Sequence, residues 1–245
     1  MLRGVFHFHS RYSFDSSSSI RSIANMLEEL KLDFAILTDH DDIRGSQALR
    51  KELKRRKSSI YVPTAAEYSS ELGDIIVVGV DEDLAGLPAV KIMRRAKEAG
   101  GLVVLPHPFD AHILSDELLD GVDVVEVFNA RSSEENNKKS ASLANKINKP
   151  VIYSPDAHLL SNLKNAIIVV PADKPILESI FQNEVRPVCT ITSGRSEIII
   201  SQIIKSLKTR NFSLFIRMVM SPLIDRIRRD HPNLFRALKR LRRKR

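Results

Sequence analysis

One cysteine, Cys189, stands among the 245 residues. It excludes an intramolecular disulfide and any cysteine-based zinc finger, and a reducing, cytoplasmic compartment is expected. Long apolar runs are missing too. The longest, Phe212 to Ile224, spans 13 residues and carries Arg217, short of the roughly 20 residues a membrane-spanning helix needs. The opening MLRGVFHFHS has neither a long apolar run nor a small-residue cleavage site, so no secretory leader is expected. Nor does the chain contain a glycine-rich phosphate loop of the P-loop or dinucleotide type, so nucleotide cofactors are not implied.

What is present is ordinary globular composition, with 43% hydrophobic and 28% charged residues, enough for one or two domains with a real core. The charge is uneven. Residues 205–245 hold 14 Lys or Arg against Asp225 and Asp230, so a mildly acidic body carries a strongly basic tail within a net charge of +8. Such a segment is attracted to polyphosphate surfaces, nucleic acid or an anionic membrane. Leu234, Leu238 and Leu241 repeat at helical spacing in it. That stripe suits packing on the body or on another subunit, phosphate contacts with nucleic acid, or lying on an anionic membrane surface.

Along the body, short apolar runs alternate with helical patterns, as βα units around a parallel sheet do. The strand candidates are Val5 to His7, Phe34 to Leu37, Ile60 to Pro63, Ile75 to Val80, Leu102 to Leu105, Val122 to Phe128, Val151 to Ser154 and Ala166 to Val170. Helices are predicted at Ile20 to Leu30, Gly45 to Arg56, Pro88 to Ala99, Ser133 to Ile147 and Pro175 to Gln182. In the first, Ile20, Ile23, Ala24, Leu27 and Leu30 share one face behind a serine run able to cap it. After about Ser193 only helices are expected: Glu197 to Leu207, Phe212 to Arg229, and Pro232 onward. The division is thus a barrel over 1–195 and a basic helical extension over 196–245.

Chemistry-bearing residues recur where these strands end. His7 with His9, Asp39-His40, Glu67, His107, Glu126 with Asn129, and Asp156 with His158 each close or follow an apolar run. In a (β/α) barrel the C-terminal ends of all strands converge on one face, which would gather them. Imidazole and carboxylate together suit borderline divalent ions such as zinc, manganese and iron, and a carboxylate can bridge two of them. Metals so held acidify water and clamp a phosphoryl group during in-line attack. Asp39 and Asp41 are expected to orient ligands and Glu126 to steady an imidazole. Arg131, a planar fork of donors after a strand end, is the candidate phosphate-binding cation. His112 and His231 lack this context.

The segments FHFHSRYSFDSS, ILTDHDDIRG, AAEYSS, GGLVVLPHPFD, VVEVFNAR and YSPDAHLLSN, in this order and each after a strand-like run, resemble the polymerase and histidinol phosphatase (PHP) family of metal-dependent phosphoesterases. The resemblance runs from about Val5 to Val170. It implies a distorted (β/α)7 TIM-like barrel with two or three divalent ions. It further implies that His7 and His9 bind the first metal, with Glu67 bridging and Asp156 completing the shell. Asp15, His40 and His158 would hold a further ion and His107 the remaining one. Where many relatives have a histidine, this chain reads ELGDIIVVG, so Asp74 is either a substitute ligand or the mark of a weaker second position. The implied activity is hydrolysis of a phosphate mono- or diester by metal-activated hydroxide, with Glu67, His107, His158 and Arg131 as candidate catalytic residues. The substrate is a phosphorylated small molecule or, if the basic tail steers the enzyme, nucleic acid. The other reading is a nucleic-acid-binding protein in which the tail does the work.

Overall fold

The computed structural model describes residues 1–216 and 218. Nine strands alternate with helices among them: β1 (Leu2–Phe6), α1 (Ile20–Glu29), β2 (Phe34–Ile36), α2 (Arg44–Arg55), β3 (Ala65–Ser70), β4 (Gly73–Val78), α3 (Ala89–Glu98), β5 (Leu102–Leu105), α4 (Asp116–Gly121), β6 (Val124–Asn129), α5 (Glu134–Lys146), β7 (Val151–Ser154), β8 (Ala166–Val170), α6 (Ile176–Phe181), β9 (Arg186–Thr190) and α7 (Arg195–Lys208). A 3-10 turn, Leu160–Asn165, precedes β8.

The strands form two sheets, ordered β2-β1-β8-β9 and β3-β4-β5-β6-β7. One core lies between them. Phe6, Ile36, Ile76, Val78, Val104, Val124, Ile152 and Ile168 meet there from both sheets, while the alternate residues Val5, Ala35 and Leu37 face α1 and α2. Ile75, Val77, Val103 and Leu105 likewise face α3. This period of two on strands buried on both faces is why they read as unbroken apolar runs. The helices fit their patterns: α1 starts on Ser19, whose side chain accepts from the Ser22 amide, as an N-cap serine should.

The α/β class is as expected, but the sheet is neither wholly parallel nor one continuous barrel ladder among the described residues. β4 runs against both β3 and β5, and β8 against both β1 and β9. The cause for β4 is local, since only Glu71 and Leu72 separate it from β3, and a two-residue connection forces an antiparallel pair. The two sheets touch through isolated bridges, Phe8 to Ala157 on one side and Phe34 to Tyr61 and His40 to Glu67 on the other, all parallel. The strand expected at Ile60 to Pro63 is reduced to the Tyr61 bridge, and the strand there is β3, whose pattern Glu67 and two serines hide. β9, largely exposed, and α4 carried no apolar run to announce them. The first strand stops at Phe6 because His7 turns to φ 63°.

α7 covers the helix expected at Glu197 to Leu207. Residues 212–216 are helical again; the rest of the helix expected to Arg229, the one from Pro232 and most of the basic tail lie outside the described residues. No described helix is long and apolar enough to cross a membrane.

Gly4 pairs with Phe34 across β1 and β2, and a methyl group on it would run into the Phe34 ring. Gly4→Ala should therefore lower unfolding free energy by about 1–3 kcal/mol, the usual cost of overpacking. Chemical denaturation tests this, and an unchanged midpoint would contradict the packing described.

Candidate metal centre

Six strands that run in one direction, β1, β2, β3, β5, β6 and β7, deliver their chemistry to one end of the molecule. β1 is followed by His7 and His9, β2 by His40, β5 by His107 and β7 by Asp156 and His158, while Glu67 and Glu126 stand within β3 and β6. Asp15 comes from the loop between β1 and α1. His7, His9, Asp15, Glu67, Glu126, Asp156 and His158 are all buried, with His40 and His107 slightly more open.

The donor atoms fall into three linked groups whose members lie within 4.8 Å of one another: His7, His9 and Asp156; His9, Asp15, His40 and His158; and His7, Glu67 and His107. His7 and His9 are each shared by two groups. The structure therefore brings together eight of the nine expected ligands. The ninth, Asp74, lines the same cavity but belongs to none of the three groups.

His7 Nδ1 lies 2.8 Å from Glu126 Oε1, so that nitrogen carries the proton toward the carboxylate. Nε2 faces Glu67 Oε2 at 3.2 Å and Asp156 Oδ1 at 3.5 Å; burial would lower the ring's pKa, but these carboxylates with Glu126 raise it well above its ordinary value. A buried nitrogen facing carboxylates calls for a proton or a cation between them. Glu126 also accepts from the His107 backbone N–H at 2.7 Å and from Asn129 Nδ2 at 2.9 Å, and from Ser154. The orienting work expected of Glu126 is thus visible. Asp39 instead takes the Ser10 amide at 2.6 Å and Asp41 the Ser69 amide at 2.9 Å, holding loops rather than rings. Gly45 makes the first arrangement possible, because a side chain there would displace the Asp39 carboxylate.

Several buried polar atoms have no hydrogen-bond partner: His9 Nε2, Asp15 Oδ1, His40 Nδ1 and His107 Nδ1. Unsatisfied groups of this kind are costly unless something completes them. The donor set, mixed imidazole and carboxylate around a shared centre, fits divalent cations.

Electrostatics follow the same geometry. Burial pushes His40 down, but Glu67 and Asp15 outweigh it and raise the ring to about 9; His107 also reaches about 9 against burial, through its hydrogen bond to Glu67. His9, buried and repelled by His158 and His40, falls to about 3 and keeps a free lone pair. Burial would raise Glu67 and Asp156, yet the histidines hold both well below the usual carboxylate range. Asp74 goes the other way, raised by burial and by Glu67.

Strain marks the site as well. His7, His107 and Asp156 adopt φ of 63°, 28° and 43°, a left-handed region that costs side-chain-bearing residues about 1–3 kcal/mol each. Three such residues on one cluster show that the surroundings impose the geometry.

Arg131 stands at the cavity wall with its Nε 3.9 Å from Asp156 Oδ2. Sequence reasoning missed Ser13, whose hydroxyl lies 3.1 Å from His9 Nδ1 and takes the His40 amide at 2.9 Å. It also missed His112, which bonds the Asp74 carbonyl at 2.8 Å, and the α7 residues Ile198, Gln202 and Lys205 that wall the cavity of about 370 Å³. None carries a strand-end signal.

No family model matches the chain. An uncharacterized protein of Methanocaldococcus jannaschii is 29% identical over 143 residues, covering 53% of this chain and 82% of that protein. In three dimensions the chain resembles a two-domain protein of Bacteroides vulgatus containing a predicted PHP-like metal-dependent phosphoesterase, with a TM-score of 0.66, 16% identity and 77% of this chain covered. The fold is PHP-like. This chain spans 65% of the length of that two-domain protein. The chain also resembles an amidohydrolase of Chromobacterium violaceum, solved with sulfate and no metal, at a TM-score of 0.55 and 14% identity over 75% of this chain and 97% of that one.

Because His40 and His107 titrate near 9 in the metal-free protein, they are protonated at neutral pH, and an ion that takes their lone pairs must displace those protons. Manganese binding at pH 7 should therefore release protons, and apparent affinity should rise toward pH 9 by up to about tenfold per pH unit for each proton displaced. Titration calorimetry in two buffers of different ionisation enthalpy reads this directly; identical heats would show that the rings are already neutral.

Proposed function

We propose that this protein is a divalent-metal-dependent hydrolase of phosphate esters and a member of the PHP family. The observation that carries the reading is the set of three linked donor groups sharing His7 and His9, in which three buried ring nitrogens and the Asp15 Oδ1 oxygen lack hydrogen-bond partners. The two-sheet frame is read as an opened version of the distorted (β/α)7 barrel, broken between β2 and β3 and between β1 and β7, where only isolated bridges join the sheets.

His7, His9 and Asp156 would hold one ion, Asp15, His40 and His158 a second, and Glu67 and His107 would serve a third, with His7 and His9 each giving its one available nitrogen to a single ion. Zinc, manganese or iron bound there would supply Lewis-acid stabilisation of phosphoryl oxygens and lower the pKa of a water. The chain supplies the rest. Glu126 accepts from Nδ1–H of His7 and so fixes that ring's tilt, and Ser13 holds the His9 ring at Nδ1. Arg131, beside Asp156 and at the cavity wall, offers parallel N–H donors to non-bridging oxygens and balances the charge that builds as the ester breaks. Asp15 and the Asp156 carbonyl hold His158 by its two nitrogens at 2.9 and 3.0 Å, so its ring cannot turn away from the reacting end. Asp74, with its carboxyl raised, is assigned to the cavity wall.

The test is metal analysis of protein purified without chelator, with manganese- and zinc-supplemented turnover of an aryl phosphomonoester, an aryl phosphodiester, single-stranded nucleic acid and an aryl amide. Phosphoester turnover lost on chelation is expected, and Glu126→Gln should cost about 10- to 100-fold in metal affinity or activity, the usual effect of loosening a ligand's support. Folded protein that binds no metal, or that cleaves only the amide, would overturn the reading.

A further inference from the structure

Helix α7 is where the cavity differs from its floor. The strands supply ligands; α7 supplies a wall of three residues on one face, Ile198, Gln202 and Lys205, at helical spacing. Two lysines one turn apart on it have opposite surroundings. Lys208 is spent: its ammonium donates to the carbonyls of Arg11, Ser13 and Ser16 at 2.9, 2.6 and 2.8 Å, and burial lowers its pKa. Those carbonyls belong to the loop that carries Phe14 and Asp15, so Lys208 pins α7 to the loop feeding the donor cluster.

Lys205 is not spent. Its ammonium stands 4.6 Å from the centroid of the Phe14 ring, and no carboxylate lies within ion-pair distance of it among the described residues. Phe14 in turn stacks on His40 at 4.6 Å and 11°. The ammonium and His40 both lie against the Phe14 ring, which places Lys205 one aromatic ring from the cluster, while Arg131 stands against Asp156. Four of the cavity's five acids are engaged elsewhere, Asp15, Glu67 and Asp156 by histidines and Asp110 by Ser132 and Asn136, and the fifth, Asp74, makes no ion pair with Lys205.

We propose that Lys205 is a specificity-determining residue that binds a second anionic group of the substrate, on the side of the scissile ester away from the donor cluster. This rests on the phosphoesterase reading for the word substrate. Arg131 and the cluster serve the reacting phosphoryl group; Lys205, a compact cation oriented by an aromatic face, serves a phosphate or carboxylate carried by the leaving group.

Binding, which needs no turnover, tests it first. The manganese-loaded full chain is titrated calorimetrically with propyl phosphate, propane-1,3-diol bisphosphate and 4-phosphonooxybutyrate, as wild type, Lys205→Ala and Lys205→Arg. The expected result is tighter binding of the doubly anionic compounds by the wild type. Lys205→Ala should reduce that preference at least tenfold, and Lys205→Arg should largely keep it. A loss shared by the carboxylate compound means that Lys205 reads charge; a loss confined to the bisphosphate means that it reads phosphate. Equal weakening of all three compounds, or no change in any, overturns the proposal. Turnover of the same compounds separates the two readings: a wild type that binds the bisphosphate through Lys205 yet hydrolyses nothing defeats the phosphoesterase and leaves the anion site standing.

Discussion

Everything in this molecule is arranged around the removal of several carboxylates and imidazoles from water at once. Each such group alone would be expensive to bury. Together they compensate one another, the acids drawn down and His40 and His107 drawn up to about 9, so the cluster is affordable only as a whole. That constraint explains the secondary layer. Ser10 and Asp39, Ser13, Glu126 and Asn129 are themselves buried, and each fixes a loop or ring that would otherwise present its charge to apolar core. A single donor moved by an ångström would leave a neighbour uncompensated.

The backbone follows from the same demand. Strand geometry sends alternate side chains to opposite faces, and a strictly extended chain could not aim both the core residues of β1 and the His7 ring as observed. The turn to positive φ at His7, and the similar turns at His107 and Asp156, re-aim these side chains at the ends of β1, β5 and β7. Such conformations survive where the surrounding packing over-determines them. The two-sheet arrangement provides that packing, since residues from both sheets share one core and helices cover the outer faces.

Much of this was legible in the sequence, and the reason is geometric. An apolar run followed at once by His, Asp or Glu places a ligand at a strand end, and strand ends converge whenever the strands share a direction; His7, His9, His40, His107, Asp156 and His158 all obey this. Glu67 was legible by its place in order although its strand was not, because a carboxylate and two serines mask the pattern of β3. The reversals of β4 and β8 were hidden, since an apolar run looks the same in either direction. Lys205 was hidden for another reason. It lies in a basic segment whose charge reads as a solvated tail, and contacts distant along the chain, those of Lys208 reaching back nearly 200 residues among them, bring that helix to the cavity. Asp74 remained ambiguous in sequence, and the geometry sets it at the wall, outside the three donor groups.

The seams between the two sheets have a consequence of their own. Each sheet is hydrogen-bonded within itself, but they are joined by single bridges, and the bridges at one end pair Phe8 with Ala157 and His40 with Glu67. These residues are donors or the immediate neighbours of donors. The cluster therefore sits astride both joints like a buckle closing a belt: whatever ties His9 to Asp156 and His40 to Glu67 also holds the halves of the protein shut, and cohesion between the sheets and readiness for chemistry become one property.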